Sequence, residues 1–495
     1  MKRLIPMAAG RDMAASVVVF LVALPLCMGI AVASGVPPER GLLTGIIGGI
    51  VVGLLAGSPL QVSGPAAGLA VLVFEIVREQ GISALGPILL LAGAIQLVCG
   101  FLRLGGWFRA ISPAVVHGML AGIGVLIVAG QLRVLFDKSP LPNGLSNLMA
   151  IPNAFTGLLP FDGSSDESAL LVGLVTILAM LGWERFRPRR LKTIPGALIG
   201  VAAGTALASW AALTIKRVTV PDSIYDGIAV PSWTAIAGLT DPELILTALA
   251  LAFIASAETL LSASAVDRMH GGVRTDYNRE LAAQGIGNML CGLLGALPMT
   301  GVIVRSSANV QAGATTRLST IMHGFWLLAA VGLFASVLRM VPMASLGGVL
   351  IVTGWRLVNL KHVRELFHQH GKLPVAIWGA TLFTVVAVDL LTGVLVGLAL
   401  TALEILPRMP RLGLRIRERQ VGPGQYTLAL AGNATFVQLP KLLRTLEGLP
   451  PDASVQLRTA TPFHLDHTTR EAINEWAARR RRTGARVDLP QPLTA

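Results

Sequence analysis

From Met13 to about Leu406 the chain is a succession of apolar stretches joined by short polar connections, and many of the stretches are long enough to cross a lipid bilayer. The mean hydropathy is +0.68 and 14% of the residues are charged, against about a quarter in soluble domains. These features define a polytopic membrane protein. The last eighty or so residues are ordinarily charged and read as a small soluble domain. The leading segment MKRLIPMAAGRD is too short for a cleavable signal, so Met13–Ser34 reads as a retained first span.

Spans are expected near 13–34, 41–57, 62–78, 84–102, 110–132, 168–186, 194–213, 243–265, 280–297, 301–314, 317–338, 340–357, 373–390 and 391–406. An even number places both termini on one side, and Lys2, Arg3 and Arg11 make that side cytoplasmic. Two dense basic loops then fall on the same side: Arg185, Arg187, Arg189, Arg190 and Lys192, and Arg408, Arg411, Arg415, Arg417 and Arg419. The formal charge of +13 and pI near 10.6 are therefore a topology signal and not a nucleic-acid footprint. Cys27, Cys99 and Cys291 all lie in apolar segments, without the spacing of a disulfide framework or a zinc site. His368 and His370 read as part of an amphipathic loop, and Glu75, at the end of its span, as a surface residue.

Two spans are broken in the same way. VSGPAAGLAVLVFEIV, residues 62–77, opens on Ser63, Gly64 and Pro65, and MTGVIVRSSANVQAGA, residues 299–314, carries Thr300 and Gly301 ahead of small residues. Proline and glycine resist helix interiors. Gly64 and Gly301 lie 237 residues apart, and that offset lays the first, third and fourth spans near the eighth, tenth and eleventh. The chain thus reads as seven spans followed by seven, with repeats at about 13–213 and 243–406. An odd number per repeat inverts the second half, as in many secondary transporters. Matched interruptions in inverted halves point to a midplane binding site. Half-helix starts present unpaired N–H groups and positive dipole ends, which suit an anion. Close helix packing through small residues is the alternative.

Glu258 lies deep in the eighth span with Ser262 one turn on. A carboxylate there can take up a proton, or with hydroxyl oxygens a Na⁺ ion. It could instead lie near the membrane edge or pair with Arg305, one turn into the tenth span. Arg305 could bind the anion, neutralise Glu258, or serve structure alone. Pro25 interrupts the first span near its middle and could shape a cavity wall.

FLVALPLCMGIAVASG, VSGPAAG, NRELAAQGIGN and TGVIVRSSANVQAGATTR together resemble the SulP (sulfate permease) family, related to the animal solute carrier 26 proteins. VQLRTATPFHLDHTTREAINEW resembles part of a STAS domain, a strand, a loop and a helix with Asp466, His467 and Thr468 at the turn. The resemblance implies an all-α membrane domain, residues 1–412, built as a seven-plus-seven inverted repeat of core and gate, and an α/β STAS-like domain, residues 413–495. It implies substrate contacts at Ser63, Gly64, Pro65, Ala66, Ala67, Thr300, Gly301, Val302, Ile303 and Val304 with Pro25 nearby, a coupling ion at Glu258 as in some members, and a homodimer, while Arg305 as an anion contact and Ser262 as an ion contact rest on their own placement. Val302, Ile303 and Val304 replace the Gly-Phe-Ser that relatives often show, so an apolar wall stands where a hydroxyl would be. In the STAS-like tail about three strands and two helices can be read and no first strand stands out. Its strand near 454–460 should be buried, Ile473 and Trp476 should point inward, and Arg479 to Arg482 should face solvent or headgroups.

The expected function is secondary active transport of a small inorganic or organic anion (bicarbonate, sulfate or a dicarboxylate) across the cytoplasmic membrane. Transport would be coupled to H⁺ or Na⁺ or run as anion exchange. The first span resembles members found beside carbonic anhydrases, which favours bicarbonate. No cofactor, enzymatic site or nucleic-acid partner is expected. The competing readings are a nucleobase-type permease of the same architecture, and an anion sensor or scaffold acting through the STAS-like tail.

Overall fold

A computed structural model describes residues 4–108, 112–141, 144–156, 164–188, 191, 194–218, 228–370, 372–405, 414–422, 424–434, 438–450, 453–465, 467–482 and 485–489. Lys2, Arg3, Arg189, Arg190, Lys192, Arg408, Arg411 and Asp466 lie outside the described residues.

The apolar stretches form α1 (Leu4–Ala33), α2 (Pro38–Leu55), α3 (Ala67–Glu79), α4 (Ile82–Phe101), α5 (Pro113–Leu135), α6 (Ser165–Phe186) and α7 (Gly196–Trp210). The second half supplies α8 (Pro242–Met269), α9 (Tyr277–Leu294), α10 (Ile303–Gln311), α11 (Leu318–Leu333), α12 (Met343–Leu357), α13 (Lys372–Ala387) and α14 (Leu390–Ile405). Among the described residues, α1, α2, α4, α5, α6 and α8 are long and apolar enough to cross a membrane, while α7 and α11 to α14 are shorter apolar helices. At the 237-residue offset, α1 corresponds to α8, α3 to α10 and α4 to α11. The segment expected to be a loop around His368 and His370 is a helix, Leu360–His370. Lys361 and Arg364 are exposed while Leu366 is buried, an amphipathic pattern of helical period.

Local chemistry sets the helix ends. Asp276 caps α9, its carboxylate accepting from Asn278 N and Arg279 N, and Gly295 closes the same helix at φ 68°. The last carbonyls of α2 accept from arginines: Arg317 Nη1 donates to Leu54 O at 2.7 Å and Arg279 Nε to Leu55 O at 2.8 Å. Such contacts satisfy orphan carbonyls and complement the negative end of the helix.

Contacts divide the chain into two compact units. The first comprises Met1–Arg103, Leu120–Val358 and Val385–Leu390. Within it α4 and α9 touch backbone to backbone, since a side-chain carbon at Gly285 would stand 2.6 Å from Gly93 O. An apolar cluster joins α1 (Val22, Leu26, Met28) to Leu327 and Val331 of α11 and Leu346 and Val349 of α12. Glu75, expected at the surface, is half-buried there and lines a small cavity with Phe74 and Gln131.

The second unit comprises Leu104–Met119, Asn359–Thr384 and Leu391–Ala495. Its sheet has the order β3 (Leu414–Gly422), β4 (Gln425–Ala434), β5 (Ser454–Leu465), β6 (Val487–Asp488). β3 and β4 are antiparallel, and β4–β5 and β5–β6 are parallel. The crossovers carry α15 (Leu439–Gly448) and α16 (His467–Arg482). Leu428, Leu430, Val455 and Leu457 are buried with Ile473 and Trp476, as the alternation of β5 and the helical spacing of α16 require. The short strand β6 brings the sheet to four strands.

The expectation for Arg479 to Arg482 fails at Arg480. Its guanidinium is buried and donates to Leu449 O (2.6 Å), Pro450 O (2.8 Å) and Ala453 O (3.2 Å), stacked over Trp476. The carbonyls at the end of α15 need donors, and the arginine fork supplies them. Arg481 is exposed and donates to Val487 O; the side chains of Arg479 and Arg482 lie outside the described residues. Arg480→Ala removes these bonds, leaving Pro450 O with only the Ala453 N–H (3.1 Å), and is expected to cost about 1–3 kcal/mol. Hydrogen exchange of the full chain should show faster exchange in β5, with α8 unchanged.

Candidate functional site

The two interrupted segments meet. Ser63–Pro65 forms β1 and Met299–Gly301 forms β2, an antiparallel pair with Ser63 opposite Gly301, Gly64 opposite Thr300 and Pro65 opposite Met299. Val302 N donates to Val62 O (2.9 Å) and Gly301 N to Thr259 Oγ1 (3.2 Å). Ser306 Oγ accepts from Val62 N at 2.9 Å and Asn309 Nδ2 donates to Leu60 O at 3.0 Å. The strand amides of Gly301 and Val302 are therefore used inside the protein. The half-helices begin later than the glycines, at Ala67 and Ile303, with Ala66 and Val302 at the cap positions and no side-chain cap on either. Their first N–H groups have no intrahelical acceptor.

Other residues singled out in the sequence are distributed around this crossing. Pro25 is buried inside an α1 that continues through it. Ser63, Thr300 and Ser262 are buried, whereas Ile303 and Val304 are partly exposed. Arg305 is fully buried in the first turn of α10. Its Nη2 donates to Pro65 O at 3.5 Å, and its Nε and Nη1 have no hydrogen-bond partner. A side-chain carbon at Gly64 would stand 2.2 Å from that Nη1, so only glycine admits the guanidinium against β1.

Glu258 stands at the start of α3. A side-chain carbon at Gly68 would fall 1.5 Å from Glu258 Oε1, which places the carboxylate on the first turn of that half-helix. The Thr300 hydroxyl is its hydrogen-bonding neighbour, and Glu258 Oε2 has no partner. Glu258 and Arg305 are not joined as an ion pair. The crossing therefore holds a carboxylate and a guanidinium, each buried and each with open hydrogen-bonding capacity. Buried polar groups are rarely left so unless something else completes them.

Several residues of the site carried no assigned role in the sequence. Glu280, Gln284 and Asn288 project from α9 at four-residue intervals, a spacing that puts them on one face and was readable. Asn288 mimics a strand: its Oδ1 accepts from Met299 N (2.8 Å) and its Nδ2 donates to Met299 O (3.2 Å). Gln284 Nε2 donates to Ser63 Oγ (2.6 Å) and to Glu280 Oε1 (3.1 Å), and Glu280 Oε2 accepts from Ser58 N (2.9 Å). The α9 ladder thus holds both strands. Cys27 and the buried His323 stand beside Arg305. His323 Nδ1 donates to Thr320 O at 2.5 Å, leaving Nε2 without a partner. No pattern in the sequence marks these two as neighbours.

Inverted halves whose broken helices meet at paired strands define the core of a membrane transporter. The chain belongs to the sulfate permease family, whose model matches residues 10–381. YvdB of Bacillus subtilis (strain 168), named for sulfate transport, is 30% identical over 420 residues, 83% of this chain and 76% of that one. A bicarbonate transporter, BicA of Picosynechococcus, is 26% identical over 408 residues, 79% of this chain and 69% of its own. The transmembrane domain of a cyanobacterial BicA superposes with a TM-score of 0.68 at 23% identity, covering 78% of this chain and 97% of that one. SLC26A9 superposes with a TM-score of 0.71 at 16% identity, covering 99% and 86%. The protein is a multi-pass membrane transporter of an anion-transporting family, not an enzyme, and its C-terminal sheet is STAS-like.

Proposed function

We propose that this protein is a secondary active transporter that binds a small oxyanion between the starts of α3 and α10 and couples its movement to a cation taken up at Glu258. One observation carries the reading: two uncapped half-helix starts at a common strand crossing, with Arg305 Nε and Nη1 and Glu258 Oε2 buried and unpartnered. The helix starts and the guanidinium supply donors to the anion. Glu258, Ser262 and Thr300 supply oxygens to H⁺ or Na⁺. Ser63, Gly64, Pro65, Ala66 and Ala67 form one wall and Thr300 to Ile303 the other. Bicarbonate, sulfate and dicarboxylates all present oxygens to such donors, and the relatives named for sulfate and bicarbonate make those two the first to test. The proposed topology has fourteen crossings of a cytoplasmic membrane, both termini inside, with the protein acting as a homodimer.

Uptake of labelled bicarbonate, sulfate and a dicarboxylate into proteoliposomes, with imposed Na⁺ or pH gradients, tests the reading. Saturable uptake of one anion that rises with one gradient is expected. Absence of uptake for every anion, with the protein folded and correctly inserted, overturns it. Gly68→Ala supplies a sharper arm. The added methyl cannot share its place with Glu258 Oε1, 1.5 Å away, so the carboxylate must leave the α3 start. The variant is expected to lose cation dependence while keeping anion exchange; an unaltered Na⁺ and pH response would detach Glu258 from coupling.

A further inference from the structure

A cavity of about 480 Å³ runs beside α10, from Val304 at its start to Gln311 and Ala312 at its end. Most of its wall is apolar: Val18, Val22 and Leu26 of α1 on one side, Met180 and Ala197 on the other. Its charged groups are Glu184 near the end of α6, Arg187 just beyond it, and Arg356 near the end of α12. Arg356 Nη2 is ion-paired with Glu184 Oε2. The pair is open to solvent, with side-chain exposures of 48% and 29%. Such pairs contribute little to stability and exchange partners readily. Two guanidinium groups and one carboxylate leave the cavity wall net positive, and apolar surroundings concentrate that field.

We propose that Arg356 and Arg187 form a second, outer site for a small oxyanion, at which the anion displaces the Glu184 carboxylate from Arg356 before moving along α10. Glu184 is then an internal competitor. Without an anion its carboxylate occupies Arg356 and keeps that guanidinium from holding other groups. When an oxyanion arrives, the fork of Arg356 offers it the same two-point geometry that a carboxylate receives. The unoccupied Glu184 then repels the bound anion and favours its onward movement. The site rests on the proposed transport function, since it lies on the route to the half-helix starts. In the proposed topology it opens to the cytoplasm.

Sided transport kinetics in proteoliposomes test the site. Glu184→Gln removes the competitor and is expected to lower the KM for sulfate or bicarbonate on the cavity side by about 3- to 10-fold. Arg356→Gln is expected to raise it by about the same factor, and the double variant should resemble Arg356→Gln alone. The KM on the opposite side should hold within about twofold. Unchanged KM on the cavity side in both single variants, or equal changes on both sides, overturns the proposal. An arm independent of transport uses Thr353→Cys, whose side chain lines the same cavity, in a background lacking Cys27, Cys99 and Cys291. An anionic methanethiosulfonate should label it faster than a cationic one. Sulfate should slow that labelling, and Arg356→Gln should abolish both effects. If labelling shows this pattern while no anion is transported, the transport reading falls and the site stands. If transport occurs while labelling shows neither charge bias nor protection, the site falls alone.

Discussion

The Arg305→Gln protein is expected to transport at about a hundredth of the native rate or less, and to melt no lower than the native protein. The two halves of that expectation separate function from structure. Arg305 is fully buried, and among its nitrogens Nη2 makes a single long contact, 3.5 Å to Pro65 O. A buried charge with so little internal compensation costs several kcal/mol. Removing it should therefore leave stability unchanged or raised, as at functional sites that carry strain. Removing the partner of a buried, charge-paired anion costs about 2–5 kcal/mol of binding, roughly 30- to several-thousand-fold in affinity. Arg305→Lys keeps the charge and loses the planar fork, so an intermediate loss is expected. Anion uptake and thermal melting on the same preparations decide the matter. A variant that transports normally, or one that melts far below the native protein, would show that Arg305 serves the fold and not the anion.

Much of this architecture was legible because membrane burial leaves few options. The 237-residue offset between Gly64 and Gly301 located the inverted halves, and α1 and α8 fall at corresponding positions. The breaks could be read because glycine and proline stand inside apolar runs. The exact helix starts could not. Residues 63–65 and 299–301 hold each other as strands, a pairing across the two halves that no local pattern specifies, so the helices begin two or three residues later. Nor could the sequence tell which amides stay open, since Gly301 N is taken by Thr259, a residue 42 positions away. Glu258 and Arg305 were both marked by their charge. Their separation, one on the α3 start and one against β1, is set by Gly68 and Gly64, which leave room for a carboxylate and a guanidinium. In the C-terminal domain a run of four arginines reads as a solvated helix face, yet Arg480 turns inward, where its guanidinium donates to the carbonyls of Leu449, Pro450 and Ala453.

Glu258→Gln is expected to keep anion binding and exchange while losing accumulation against a gradient. Glutamine preserves the shape of the side chain and its contact with Thr300, and it cannot bind a proton or hold a cation by charge. In the native protein the carboxylate sits on the α3 start beside the proposed anion position. Two negative charges there repel, so the anion binds better once a cation has neutralised Glu258. By reciprocity the cation binds better when the anion is present. That mutual preference is coupling, and a tenfold cation gradient then supplies about 1.4 kcal/mol, enough to hold the anion about tenfold above equilibrium. With glutamine the site is permanently neutral, the preference disappears, and the gradient has no purchase. Counterflow of labelled anion should persist within a few-fold of native, and accumulation should fall to the equilibrium level with no response to Na⁺ or pH. If the variant still accumulates anion at native rates with the native cation dependence, the coupling ion binds elsewhere and Glu258 has a structural role only.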